Sequence, residues 1–162
     1  MIPELNTILY ATDLSDNAVH AFSYAAALAN RFGAKISILH VIEALPPSSN
    51  FLISQMLGED KWQSIQEENV QKVRDTIAER LQAFCDRMAV ELEACPFMVA
   101  ETLVRQGDPA ETILRLAEKT KADLIVMGTH GHGLVADATP GRTARRVVRR
   151  SKLPVLTGRL PA

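Results

Sequence analysis

Thr7-Ile8-Leu9-Tyr10-Ala11-Thr12-Asp13-Leu14-Ser15-Asp16 runs from a short apolar, β-rich segment straight into turn-forming residues. Residues 7–12 read as a buried strand, and Asp13 to Asp16 as the turn that delivers it into a helix. Ser15 or Asp16 can cap that helix. Ala18, Phe22, Ala25, Ala26, Ala29 and Phe32 then recur at helical spacing, and Gly33 supplies the stop. A second continuous β-branched run, Lys35 to Ile42 (KISILHVI), follows at once, as expected of a strand covered on both faces.

The same alternation continues to the end of the chain. Glu43 to Gly58 contains Pro46-Pro47-Ser48-Ser49-Asn50, a loop signature, and predicts a connecting segment able to close over a ligand as a lid. Asp60 to about Met88 places Val70, Val73, Ile77, Leu81 and Phe84 on one stripe and predicts a long helix. Phe97 to Arg105 reads as a third strand. Gly107-Asp108-Pro109-Ala110-Glu111 then gives a cap, a proline at the first helical position and an early acid, opening a helix to about Lys121. Leu124 to Met127 is a fourth strand, Gly128 to Gly141 a glycine-rich loop, the next segment a basic helix through about Arg150, and Pro154 to Thr157 a fifth strand. Strands alternating with helices predict an α/β fold with one parallel sheet and helices on both faces, because each parallel connection needs a crossover. Ligands of such sheets sit beyond the carboxyl ends of the strands, which here means Asp13, Val41 to Ala44 and the loop after Met127.

Bulk properties narrow the function classes. The 162 residues, 47% hydrophobic, suit one domain that needs no metal or disulfide to hold its core. Eighteen Lys and Arg against 19 Asp and Glu leave a net charge of -1, so no global attraction draws the chain to nucleic acid or to an anionic membrane. The opening MIPELNTILYATDLS has too short an apolar run for a signal peptide, and no apolar run reaches membrane-spanning length. Cys85 and Cys95 have neither C-x-x-C spacing nor a dense disulfide pattern; buried thiols in a reducing, cytoplasmic compartment are the expectation.

Gly128-Thr129-His130-Gly131-His132-Gly133 follows a buried strand, and Gly141 stands at the mouth of a helix carrying Arg142, Thr143, Arg145 and Arg146. Glycines admit backbone N–H groups close to an anion, and the free N–H groups and positive dipole end of the helix favour negative charge. The segment predicts a phosphate cradle. Its spacing, G-x2-G-x9-G, is neither the P-loop pattern nor G-x-G-x-x-G.

An Asp after the first strand, a second strand carrying His40-Val41, and G-x2-G-x9-G after the fourth strand together resemble the ATP-binding branch of the universal stress protein family, over nearly the whole chain. The resemblance implies a Rossmann-like, adenine nucleotide alpha hydrolase-like domain over residues 1–162, an open five-stranded sheet of order 3-2-1-4-5. It implies a stress-response role with ATP or another adenine nucleotide bound, and Mg²⁺ as a candidate companion. By the same likeness Asp13 lies beside the adenine and ribose, Val41 offers backbone groups to the base, Gly128 borders the ribose, Gly131, Gly141, Arg142 and Thr143 face the phosphates with His130 near them, and Thr12 and Met127 belong to the same nucleotide-binding set. In the family the last glycine is usually followed by Ser or Thr. Here Arg142 follows and Thr143 comes one place later. Relatives pair through the last strand, which implies a homodimer through Leu153 to Thr157, a short apolar edge that pairing would cover.

Other constellations carry less. His130 and His132 have a chelating spacing but no neighbouring cysteine or carboxylate completes a metal site. Arg142 to Lys152 is the densest basic cluster, yet no aromatic residues interleave it as single-strand nucleic-acid binding would require. No nucleophile motif or paired catalytic carboxylates stand out, so catalysis is not expected. The alternative to nucleotide binding is a nucleotide-free relative acting as a protein-interaction dimer, to which Arg142 points.

Overall fold

A computed structural model describes residues 1–89, 97–129 and 141–160. Five strands, β1 (Thr7–Ala11), β2 (Lys35–Glu43), β3 (Met98–Gly107), β4 (Leu124–Gly128) and β5 (Val155–Gly158), form one sheet of order β3-β2-β1-β4-β5. Every neighbouring pair is parallel. The period-2 alternation of the strands divides the core into two layers. Ile8, Tyr10, Ile36, Ile38 and Val126 point to one face, where α1 (Asp16–Phe32) and α3 (Glu59–Ala89) cover them. Leu9, Ala11, Leu39, Ile125 and Met127 point to the other, beneath α4 (Pro109–Lys119) and α5 (Arg142–Arg150).

Local chemistry sets the helix ends. Ser15 caps α1 by accepting from the Ala18 N–H, and Gly33 closes it in the left-handed conformation at φ 67°. Asp108 caps α4 by accepting from the Glu111 N–H at 2.9 Å, with Pro109 in the first turn.

Two expectations need correction. Pro47–Leu57, read as part of a loop, is a helix, α2. Pro47 takes the first turn, where its missing N–H is harmless, and Gly58 at φ 87° ends the helix. None of its residues is buried; it lies along α3, where the Trp62 Nε1–H donates to the Asn50 side-chain oxygen at 2.5 Å. Cys85, near the end of α3, is disulfide-bonded rather than a free thiol, and the chain's other cysteine, Cys95, lies outside the described residues. The reducing-compartment argument thereby loses its cysteine support.

The inner face of α1 is built of Ala18, Ala21, Phe22, Ala25, Ala26 and Ala29, so the helix can settle against the sheet at backbone distance. Gly128 and Gly158 complete the fit. A Cβ on Gly128 would stand 3.0 Å from the Ala18 nitrogen, and one on Gly158 would stand 2.8 Å from the Ala21 Cβ. Neither neighbour is the flexible end of a side chain, so the helix itself would have to move. Gly158→Ala is therefore expected to destabilise the fold by about 1–3 kcal/mol, as overpacking does. Urea denaturation would measure this, and adding Ala21→Gly should cost less than the two single changes summed.

Candidate functional site

The carboxyl ends of β1, β2 and β4 open into a cavity of about 410 Å³. Its floor is Ala11, Leu39 and Met127, its rim holds Thr12, Asp13, Val41, Glu43, Gly128 and Thr129, and the first residues of α4 and α5 close it. Such a volume lies within the range of small-molecule sites. Of the residues singled out in the sequence, Thr12, Asp13, Val41, Met127, Gly128, Gly141, Arg142 and Thr143 all line it. His130 and Gly131 lie outside the described residues.

Each wall is held by the backbone. The Thr12 N–H donates to the Leu39 carbonyl at 2.9 Å, and the Thr12 carbonyl lies 2.7 Å from His40 Nδ1. A carbonyl can only accept, so His40 carries its proton on Nδ1. That bond fixes the end of β1 against β2 and gives His40 a structural role. In the turn beyond, Asp13 Oδ1 accepts from the Ser15 N–H at 2.9 Å and from the Ser15 hydroxyl. Leu14 takes a positive φ of 65° between these bonds. Asp13 is thus at once a turn carboxylate and an exposed group on the cavity rim.

On the far side the Gly141 N–H donates to the Thr129 carbonyl, which brings the N-terminus of α5 onto the end of β4. The first intrahelical bond recorded there is Arg145 N–H to the Gly141 carbonyl at 3.0 Å. The N–H groups of Arg142, Thr143 and Ala144 precede it in the first turn, where helix geometry provides no acceptor. These three residues line the cavity, so the helix contributes donors, a positive dipole end and the Arg142 guanidinium together. An anion is the group such a wall accommodates. Among the described residues, no group of three or more His, Cys, Asp or Glu is placed to hold a metal ion. No helix among them is long and apolar enough to cross a membrane.

Glu43 and Thr129, which fall inside the strand-end segments the sequence pointed to, also line the cavity, as do Pro109 and Ile113, which the sequence did not connect with it. Pro109 and Ile113 belong to α4, whose approach to this end of the sheet no local pattern reveals.

An ion pair joins the starts of α4 and α5. Arg146 Nη1 donates to Asp108 Oδ2 at 2.8 Å while the other Asp108 oxygen caps α4. The Arg146 bond, then the backbone N–H of Glu111, hold the Asp108 carboxyl below its ordinary value of 3.8. A depressed carboxylate stabilises the fold above its ordinary value and loses that contribution as pH falls through the folded value. Asp108→Asn keeps the capping oxygen, so the stability gap to the parent should be small at pH 7, shrink with salt because the pair is solvent-exposed, and close below about pH 4. Thermal melts across pH would show this.

Comparison with known proteins agrees with the architecture. The chain is 35% identical over 150 residues to a universal stress protein of Thermus aquaticus encoded 3' of a QAH/OAS sulfhydrylase, covering 93% of this chain and 96% of that one. It is 29% identical over 149 residues to the universal stress protein MJ0577 of Methanocaldococcus jannaschii, covering 92% and 91%. The solved MJ0577 structure superposes with a TM-score of 0.73 at 23% identity, covering 98% of this chain and 99% of that one. A universal stress protein solved in complex with cAMP superposes with a TM-score of 0.57 at 25% identity, covering 96% and 98%. The sequence profile of the universal stress protein family matches residues 4–159, nearly the whole chain, and the protein belongs to that family.

Proposed function

We propose that the protein binds an adenine nucleotide, ATP or a close relative, in the cavity at the strand ends, and acts as a homodimeric regulatory protein of the stress response rather than as an enzyme. The observation that carries this reading is the convergence of three strand ends with the N-terminus of α5 and Arg142. The apolar floor suits a flat base. Backbone groups at Val41 suit its edge, Asp13 suits ribose hydroxyls, and the α5 terminus suits phosphate. A universal stress protein of this fold was solved in complex with cAMP, which supports an adenine nucleotide as the ligand.

Titration calorimetry of the nucleotide-stripped protein with ATP, with and without Mg²⁺, tests the reading. Saturable binding is expected, lost in Gly141→Val, whose side chain would crowd the cavity wall. Arg142→Ala should weaken ATP about tenfold, the scale of one charge-assisted hydrogen bond. Arg142 also favours the second reading, a nucleotide-free interaction dimer, because a long side chain stands where relatives carry a small hydroxyl. Absence of heat with ATP, ADP, AMP and cAMP would sink the first reading in favour of the second.

The dimer belongs to the same proposal and is supported by β5. Among the described residues that strand pairs only with β4, which puts it at the edge of the sheet. The Ile125 N–H donates to the Pro154 carbonyl and the Thr129 N–H to the Gly158 carbonyl. Strand alternation therefore turns the backbone groups of Val155 and Thr157 to the open side. Thr157→Pro removes one outward donor without touching the β4 ladder. Light scattering should report a dimer for the parent and a monomer for this variant; a monomeric parent at micromolar concentration would overturn the dimer.

A further inference from the structure

On the opposite face of the sheet, between α1 and α3, lies a second cavity of about 230 Å³. Its walls are almost wholly apolar. Phe22 and Ile38 form the depth, Ile77, Leu81 and Phe84 the α3 side, and Val19 and Leu14 the rim. Phe22 and Phe84 meet edge to face with ring centroids 5.0 Å apart. Tyr10 also contributes, but its hydroxyl is committed to the Ala18 carbonyl at 2.6 Å, and burial pushes its pKa up to about 12. The phenol therefore offers a ring face and not a titrating group.

Arg80 is the charged side chain among the lining residues. Its Nη1 donates to the Leu14 carbonyl at 2.7 Å, which fixes the guanidinium over the mouth. Among the described residues no carboxylate lies within ion-pair distance of it. A guanidinium has five N–H donors in a planar fork that matches a carboxylate, and one bond to a carbonyl leaves most of them available. About 150 Å³ suffices for one aromatic ring in a dry cavity. The volume here holds a ring with a short tail, below the size of a nucleotide.

We propose that this cavity binds a small monocarboxylic acid with an aromatic or branched aliphatic body, the body between Phe22, Ile77 and Phe84 and the carboxylate on Arg80. The site is separate from the nucleotide reading. Among the described residues its cavity shares only the Thr12 wall with the first, and its ligand needs no phosphate.

The test uses the full chain without nucleotide and 3-phenylpropionate as the probe, with 3-phenylpropanol and 3-phenylpropylamine as neutral and cationic counterparts. Methyl NMR should show saturable shifts at Val19, Ile77 and Leu81 for the acid, weaker binding of the alcohol and none of the amine. Arg80→Gln should weaken the acid about tenfold and bring it level with the alcohol. Ala83→Trp, at an exposed rim position, should block all binding while leaving the melting temperature of the free protein nearly unchanged. No saturable shift with the parent protein overturns the proposal. So does equal affinity for acid and alcohol, or acid shifts confined to the ends of β1, β2 and β4.

Discussion

The approach of α1 to the sheet is the constraint on which the rest of the molecule depends. A helix faced with alanines can come to backbone contact with a sheet only where the facing residues lack a Cβ, and Gly128 and Gly158 supply those places. Close packing of this kind gains dispersion energy at every atom along the contact and leaves no freedom to shift. It also sets the position of the turn 12–15, because α1 begins two residues after Leu14. Leu160 reinforces the arrangement beyond β5, its N–H donating to the Asn17 side chain at 2.9 Å. Gly128 thus has a packing duty quite apart from any ligand, and its place on the cavity rim follows from that duty.

With α1 placed, the strand ends become a boundary between two environments. On one side the cavity is lined by the start of α5, whose N–H groups suit an anion, and by the exposed carboxylates of Asp13 and Glu43, which suit hydroxyl donors. On the other side it is lined by aromatic and aliphatic side chains under a single guanidinium. The period of the β-strand produces the difference. Tyr10 and Ile38 face α1 and α3, Ala11 and Leu39 face α4 and α5, and among the described residues Thr12, at the end of β1, borders both. The strained Leu14 sits between them, held by bonds from both directions: its N–H to the Thr12 hydroxyl and its carbonyl from Arg80.

Much of this was legible in the residues alone. Continuous apolar runs such as TILYA and KISILHVI identified the strands because a strand buried on both faces has no polar side to show. Ser15, Gly33, Asp108 and Pro109 identified helix ends because capping is satisfied within four residues. The glycine spacing after β4 marked a region of close backbone approach, and its described members do line the cavity. The helix at Pro47–Leu57 was missed because its prolines and serines read equally well as a loop or as a first turn, and its lack of any buried residue left no periodic stripe to decide between them.

What the sequence determined by itself was therefore whatever depends on neighbours along the chain: the strands, most helix ends, the basic character of α5 and the glycine at the mouth of that helix. Only the tertiary structure decided which distant segments meet. Pro109 and Ile113 join the first cavity, Arg80 lines the second, and Asp108 reaches Arg146 across 38 positions. Such contacts are set by how helices pack on a twisted sheet, and one chain read in order carries no local signal of that geometry.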